Sequence, residues 1–165
     1  MMNMTDELSL KLKSLLTDRG LSISTAESCT AGGIGAAIAA VDGASVYYKG
    51  WVVSYATELK VSLLGVSKET IAFHGVVSEE TAIEMNEGVR RLTHSDLAVS
   101  VTGYIGTAGG DDFAPNGTVW LCVASNEGPT TTKRLTLSED RTTNAHTVIK
   151  EALLMVVEYL KENLL

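Results

Sequence analysis

Three short stretches of this chain gather side chains able to attack, deprotonate or hold a polar substrate. The first is TAESCTAGG over 25–33, where hydroxyls, a thiol and a carboxylate stand directly before a small apolar tract. If that tract opens a helix, its free N–H groups and dipole favour negative charge. A serine such as Ser28 could then have its acyl oxygen stabilised by backbone donors. A plainer role suits the same residues: Ser28 or Thr30 caps the helix, and Gly32 and Gly33 allow tight packing. Cys29 likewise is either a nucleophile or a small buried residue, with no histidine near it in sequence. The pattern alone leaves these alternatives open.

The second stretch is YATELK over 55–60. By itself Lys60 reads as a solvated surface lysine. Desolvated between sheet and helix, it would lose its proton near neutral pH and could serve Ser28 as a base. Tyr55 could orient either group, or rest in the core with its hydroxyl satisfied. The third stretch, TGYIGTAGG over 102–110, holds Thr102, Gly103 and Gly106 among four glycines whose amides could form an anion nest. It matches neither G-x-x-x-x-G-K-[ST] nor G-x-G-x-x-G, so neither type of nucleotide phosphate loop is supported, and a flexible loop is the other reading. Arg141, in SEDR, could clamp a phosphate or carboxylate, or pair with Asp140 or Glu139. His74, His94 and His146 lie far apart, and two cysteines lack zinc spacing, so no metal site is expected.

Alternating helices and strands must position these groups. Helical spacing of Leu8, Leu12, Leu15 and Leu16 predicts a helix over 5–18, with Thr5 able to cap and Gly20 as the stop. A strand over 21–26 follows, then a small-residue helix over 31–40 ended by Asp42-Gly43. A strand over 46–55 leads to a short helix over 56–64. Ser67 opens a capped turn of helix, and Ser78 caps a longer one running to about Leu92. LAVSV over 97–101 reads as a central strand, and 103–116 as an irregular stretch. Strands over 117–124 and 130–137 pair through the 126–129 turn. A helix over 142–164 closes the chain, with Val148, Ala152, Met155, Val156 and Leu160 facing inward. The class is α/β: one domain over 1–165, a three-layer α/β/α fold with a mixed, mostly parallel sheet.

Composition bounds the partners. The 165 residues carry 13 Lys+Arg and 20 Asp+Glu, a net charge of −7. That balance offers no basic stripe to track phosphates, which argues against nucleic acid. No apolar run approaches a membrane span, and no secretory leader pattern is evident, so a cytoplasmic protein with no membrane partner is expected. Tyr47, Tyr48 and Trp51 either supply a surface for a homo-oligomer or belong to the core.

At these stretches the chain resembles the CinA C-terminal domain family. The likeness runs over about 10–160 and is carried, in order, by TAESCTAGG, DGAS (42–45), YATELK, LLGVS (63–67), HGVVSEETA (74–82), VTGYIGTAGG (101–110), PNGTVW (115–120) and the EDR before the last helix. The resemblance implies an amidohydrolase that takes ammonia from the carboxamide of nicotinamide mononucleotide, with no metal or organic cofactor. By similarity Ser28 would be the nucleophile and Lys60 its general base, supported by Tyr55 and Thr30. Backbone amides near 30–33 would hold the tetrahedral oxygen; Thr102, Gly103, Gly106 and Arg141 would bind the nucleotide substrate. Longer members carry an N-terminal partner domain, of whose activity this chain offers no sign. Departures from the family pattern are Ala31 for glycine, Tyr104, Ile105 and Thr107 for isoleucine, alanine and proline, Asn116 for valine, and Glu139 for glycine. These altered loop residues motivate the alternative, a catalytically silent paralogue that binds a nucleotide or a protein partner.

Overall fold

A computed structural model describes residues 3–163. The predicted end of the last helix, Leu164, lies outside them, as do Met1, Met2 and Leu165. The elements are α1 (Met4–Arg19), β1 (Ile23–Glu27), α2 (Gly33–Ala39), β2 (Tyr48–Val53), α3 (Thr57–Leu64), α4 (Lys68–His74), α5 (Glu79–Thr93), β3 (Leu97–Gly103), β4 (Thr118–Ser125), β5 (Thr130–Thr136) and α6 (Arg141–Asn163). The strands form one sheet in the order β2-β1-β3-β4-β5. β1 runs parallel to β2 and β3, whereas β4 is antiparallel to β3 and β5 to β4. The expected class is therefore the one that forms, with β4 alone running against the other strands.

Alternation along β3 sorts the two faces of the sheet. Leu97, Val99 and Val101 join Leu12 and Leu16 of α1, Ile34 and Ile38 of α2, and Val148, Ala152, Val156 and Leu160 of α6 in the larger core. Ala98 points the other way, into a second core with Leu64 of α3 and Met85 and Val89 of α5. This second face uses small residues, and α5 lies tightly on it. Ser100 Oγ donates to the Ala82 carbonyl at 2.6 Å, and Asn86 Nδ2 donates to the Ala98 and Cys122 carbonyls at 2.8 and 3.1 Å. These bonds satisfy polar groups that burial would otherwise leave costly.

Several element ends differ from expectation for local reasons. α1 begins at Met4, since Asn3 makes a reciprocal capping box with Asp6 that displaces Thr5 from the cap. Val46 falls in a 3-10 turn, so β2 starts later than predicted. Ser67 and Ser78 cap α4 and α5 as their sequences indicate. Tyr47 is buried in the core, while Tyr48 and Trp51 stack with centroids 6.4 Å apart and Trp51 stays exposed. No helix among the described residues is long and apolar enough to cross a membrane.

The connection from β1 to β2 passes over the α1/α6 face through α2, whereas α3, after β2, packs with α5 on the opposite face. Adjacent parallel strands whose connections leave to opposite faces open a crevice beyond their carboxyl ends. The segments after β1, β2 and β3 converge on that crevice.

Candidate active site

A cavity of about 370 Å³ opens there, lined among others by Ser28, Cys29, Tyr55, Lys60, Thr102, Gly103, Gly106 and Arg141. Its volume suits a small ligand. Ser28 follows β1 directly, its N–H bonded to the Val101 carbonyl of β3 at 3.2 Å. Lys60 enters from the first turns of α3 and is buried, only 1 % exposed. Its Nζ donates to Ser28 Oγ at 3.0 Å and to the Ser54 carbonyl at 2.6 Å. Burial lowers the amine from 10.5 to about 8, because an ammonium loses its hydration there. A neutral amine keeps two N–H groups and one lone pair. With one N–H held by Ser54, the lone pair can turn to the Ser28 hydroxyl and take its proton.

Cys29 also borders the cavity, but burial pushes its thiol up to about 12. The thiolate that nucleophilic attack needs is therefore scarce at neutral pH.

Thr25 and Thr30 of this stretch both turn their hydroxyls to one acid. Glu27, the last residue of β1, is wholly buried. Its Oε1 accepts from Thr30 Oγ1 at 2.6 Å and Ile34 N at 2.9 Å; its Oε2 accepts from Thr25 Oγ1 at 3.0 Å and Gly35 N at 2.9 Å. Glu27 thus occupies the start of α2, where neither Ser28 nor Thr30 acts as the cap; the cap position is Gly32, with no side-chain bond. Thr30 faces Glu27, and Thr30, Gly32 and Gly33 are absent from the cavity wall. Gly32 packs by Trp51 and Val53, and Gly33 by Ile149. In this turn the amides of Ala31 and Gly33 go to the carbonyls of Ser28 and Thr30. Those of Thr30 and Gly32 have no acceptor among the described residues. The sequence signal for Glu27 was its place between Thr25 and Thr30, ahead of the glycines.

Tyr55 does not reach the amine. Its hydroxyl accepts from Arg141 Nη2 at 2.9 Å, so the pair bridges the cavity mouth. Arg141 begins α6, whose first amides are capped by Asp140 through bonds to Thr142 N and Thr143 N at 3.0 and 3.1 Å. Thr102 Oγ1 donates to the Val76 carbonyl at 2.8 Å. Gly103 must lack a side chain, as a Cβ would lie 2.5 Å from Val119 Cγ2, and at Gly106 a Cβ would sit 3.5 Å from Arg141 Nη1.

The glycine-rich loop is tied down at several positions that depart from the family pattern. Ile105 is buried in the larger core. Its carbonyl accepts from the buried Asn144 at 3.0 Å, and Asn144 also binds both main-chain groups of Glu139. Asn116 Nδ2 donates to the Gly106 carbonyl at 2.9 Å, and the Tyr104 hydroxyl to Asp111 at 2.8 Å. The loop without its proline therefore gains rigidity from side-chain bonds.

Comparison with known proteins places this geometry. The CinA C-terminal domain model matches residues 5–160. The nicotinamide-nucleotide amidohydrolase PncC of Escherichia coli K12 is 39 % identical over 135 residues, 82 % of each chain. A relative from Halothermothrix orenii is 43 % identical over 158 residues, 94 % of this chain, and the chain spans 38 % of that relative's length. The crystal structure of competence damage-inducible protein A (ComA) from Klebsiella pneumoniae superposes with a TM-score of 0.93 at 37 % identity, covering 97 % of this chain and 99 % of the other. With its fold, its order of motifs and these relatives in agreement, the chain belongs to the CinA C-terminal domain family.

Proposed function

We propose that this chain is an amidohydrolase that converts the carboxamide of nicotinamide mononucleotide to the carboxylate, releasing ammonia, with Ser28 as nucleophile and Lys60 as general base. The observation that carries the reading is the 3.0 Å contact between Lys60 Nζ and Ser28 Oγ, made by an amine that burial has brought down to about 8. The 39 % identity to a nicotinamide-nucleotide amidohydrolase, over most of both chains, supports the choice of substrate.

In this reading Ser28 Oγ bonds to the amide carbon as its proton passes to Lys60. In this reading the resulting oxyanion is received by main-chain amides of the turn that follows Ser28. Lys60 returns the proton to the departing nitrogen, ammonia leaves, and an ester remains on Ser28. Water then attacks the ester, giving a proton to Lys60, and the carboxylate product leaves as Ser28 is reprotonated. Arg141, held by Tyr55 and set against Gly106, receives the nucleotide phosphate, whose two negative charges suit a guanidinium fork.

The test is ammonia release from nicotinamide mononucleotide by the purified protein, with Ser28→Ala as control. Release that the alanine variant lacks supports the reading. Binding of the nucleotide with no turnover would overturn it in favour of a silent binding domain.

A further inference from the structure

We infer that Glu27 is the positioning residue of this site: its carboxylate winds the turn that presents Ser28 to Lys60. The inference rests on Ser28 being the nucleophile, as proposed above.

Four donors converge on the two oxygens of Glu27, and none of them is a cation. A wholly buried carboxylate without a charged partner is an expensive way to fill space, because its lost hydration must be replaced by fixed dipoles. Here the replacement is specific. Two donors are main-chain N–H groups of α2, one is Thr25 from the same strand, and one is Thr30 from the turn itself. The three from Thr30, Ile34 and Gly35 tie the far side of the 28–32 turn back to the strand that precedes it, and Thr25 holds the carboxylate from within that strand. The turn needs such a restraint: Ala31 has a φ of +50° and Gly32 of +94°, and a non-glycine residue in the left-handed region is disfavoured.

Main-chain bonds of Glu27 reach the other half of the pair. Its carbonyl accepts from Ser54 N at 2.8 Å, and the Ser54 carbonyl in turn holds Lys60 Nζ. One residue therefore anchors nucleophile and base from opposite sides. The cradle also depends on Gly35, where a Cβ would lie 3.3 Å from Glu27 Oε2 and 2.3 Å from the Tyr48 hydroxyl.

Glu27→Gln tests the role, since it keeps the shape but turns an NH2 toward two of the four donors. Steady-state ammonia release and the rate of Ser28 modification by a fluorophosphonate probe, located by mass spectrometry, are the readouts. We expect kcat to fall about 10–100-fold with KM changed less than about twofold, and the labelling rate to fall in parallel. Thr30→Val, which removes a single donor, should lower both rates about 3–10-fold, and Thr30→Ser should restore them. Labelling of the Gln variant at the wild-type rate overturns the inference, as does Thr30→Ser behaving no better than Thr30→Val. If the wild type is labelled at Ser28 but releases no ammonia, the substrate reading fails and the labelling rates alone decide the role of Glu27. A wild type left unlabelled at Ser28 overturns both.

Discussion

The main-chain carbonyl of Ser54 takes a hydrogen bond from Lys60 Nζ at 2.6 Å, shorter than the 3.0 Å from that amine to Ser28 Oγ. A backbone acceptor just beyond an edge strand thereby sets the direction of the buried Lys60 amine. It cannot be removed by a side-chain substitution, so experiments on the dyad must act on Lys60 or Ser28 themselves.

Ser28→Ala and Lys60→Met are expected to lower kcat by about 10²–10⁴-fold or more, measured as ammonia release. Lys60→Met should at the same time raise stability at pH 7 by on the order of 2 kcal/mol, read from urea denaturation, since the wild-type fold bears the cost of an amine lowered from 10.5 to about 8. A variant both inactive and less stable would contradict this.

Activity should rise with pH through a midpoint near 8, because the base must be neutral. Stability follows with a defined sign. Between about 8 and 10.5 the unfolded chain holds a proton that the folded chain has lost, so the Lys60 contribution improves with pH across that window. Below 8 both states are charged and the full cost is present. A pH–rate profile for kcat/KM and melting temperatures of wild type against Lys60→Met check the two statements.

Arg141→Ala should raise KM for the nucleotide about 10–100-fold while sparing kcat, and should have little effect on hydrolysis of the corresponding nucleoside, which has no phosphate. Tyr55→Phe frees the Arg141 fork from its 2.9 Å contact and should raise KM by a smaller factor. Equal losses on nucleotide and nucleoside would remove Arg141 from the phosphate.

Gly88 of α5 lies against the end of α3, where an added Cβ would stand 1.9 Å from the Leu64 carbonyl oxygen. Gly88→Ala must push back the helix that carries Lys60. It is expected to cost about 3 kcal/mol, by denaturation, and to lower kcat through the displaced amine. Wild-type activity in this variant would show that α3 can move without disturbing Lys60.

The sheet and its layers were legible because the signals for them are local. LAVSV marks β3, serines stand at two helix starts, and five apolar positions of the last helix lie on one buried face. The meeting of Ser28 with Lys60, separated by 32 residues, is one of two open readings of the residues and is favoured only by the resemblance, since a lysine at a helix start carries no local mark of burial. The role of Glu27 has no clear sequence signal in the strand pattern, for a related reason. Every residue of β1 is buried, so alternation offers no hint that a carboxylate points into the fold with four donors around it. The contact of Tyr55 with Arg141 at 2.9 Å has no sequence signal, because it spans 86 residues.

β2 stands at the margin of the sheet, with β1 as its only strand neighbour among the described residues; Ser54 follows it directly, and Lys60 comes in the next helix. Marginal strands fray before central ones. Warming should therefore abolish ammonia release some degrees before circular dichroism registers collapse of the interior, and on cooling, that release should return last.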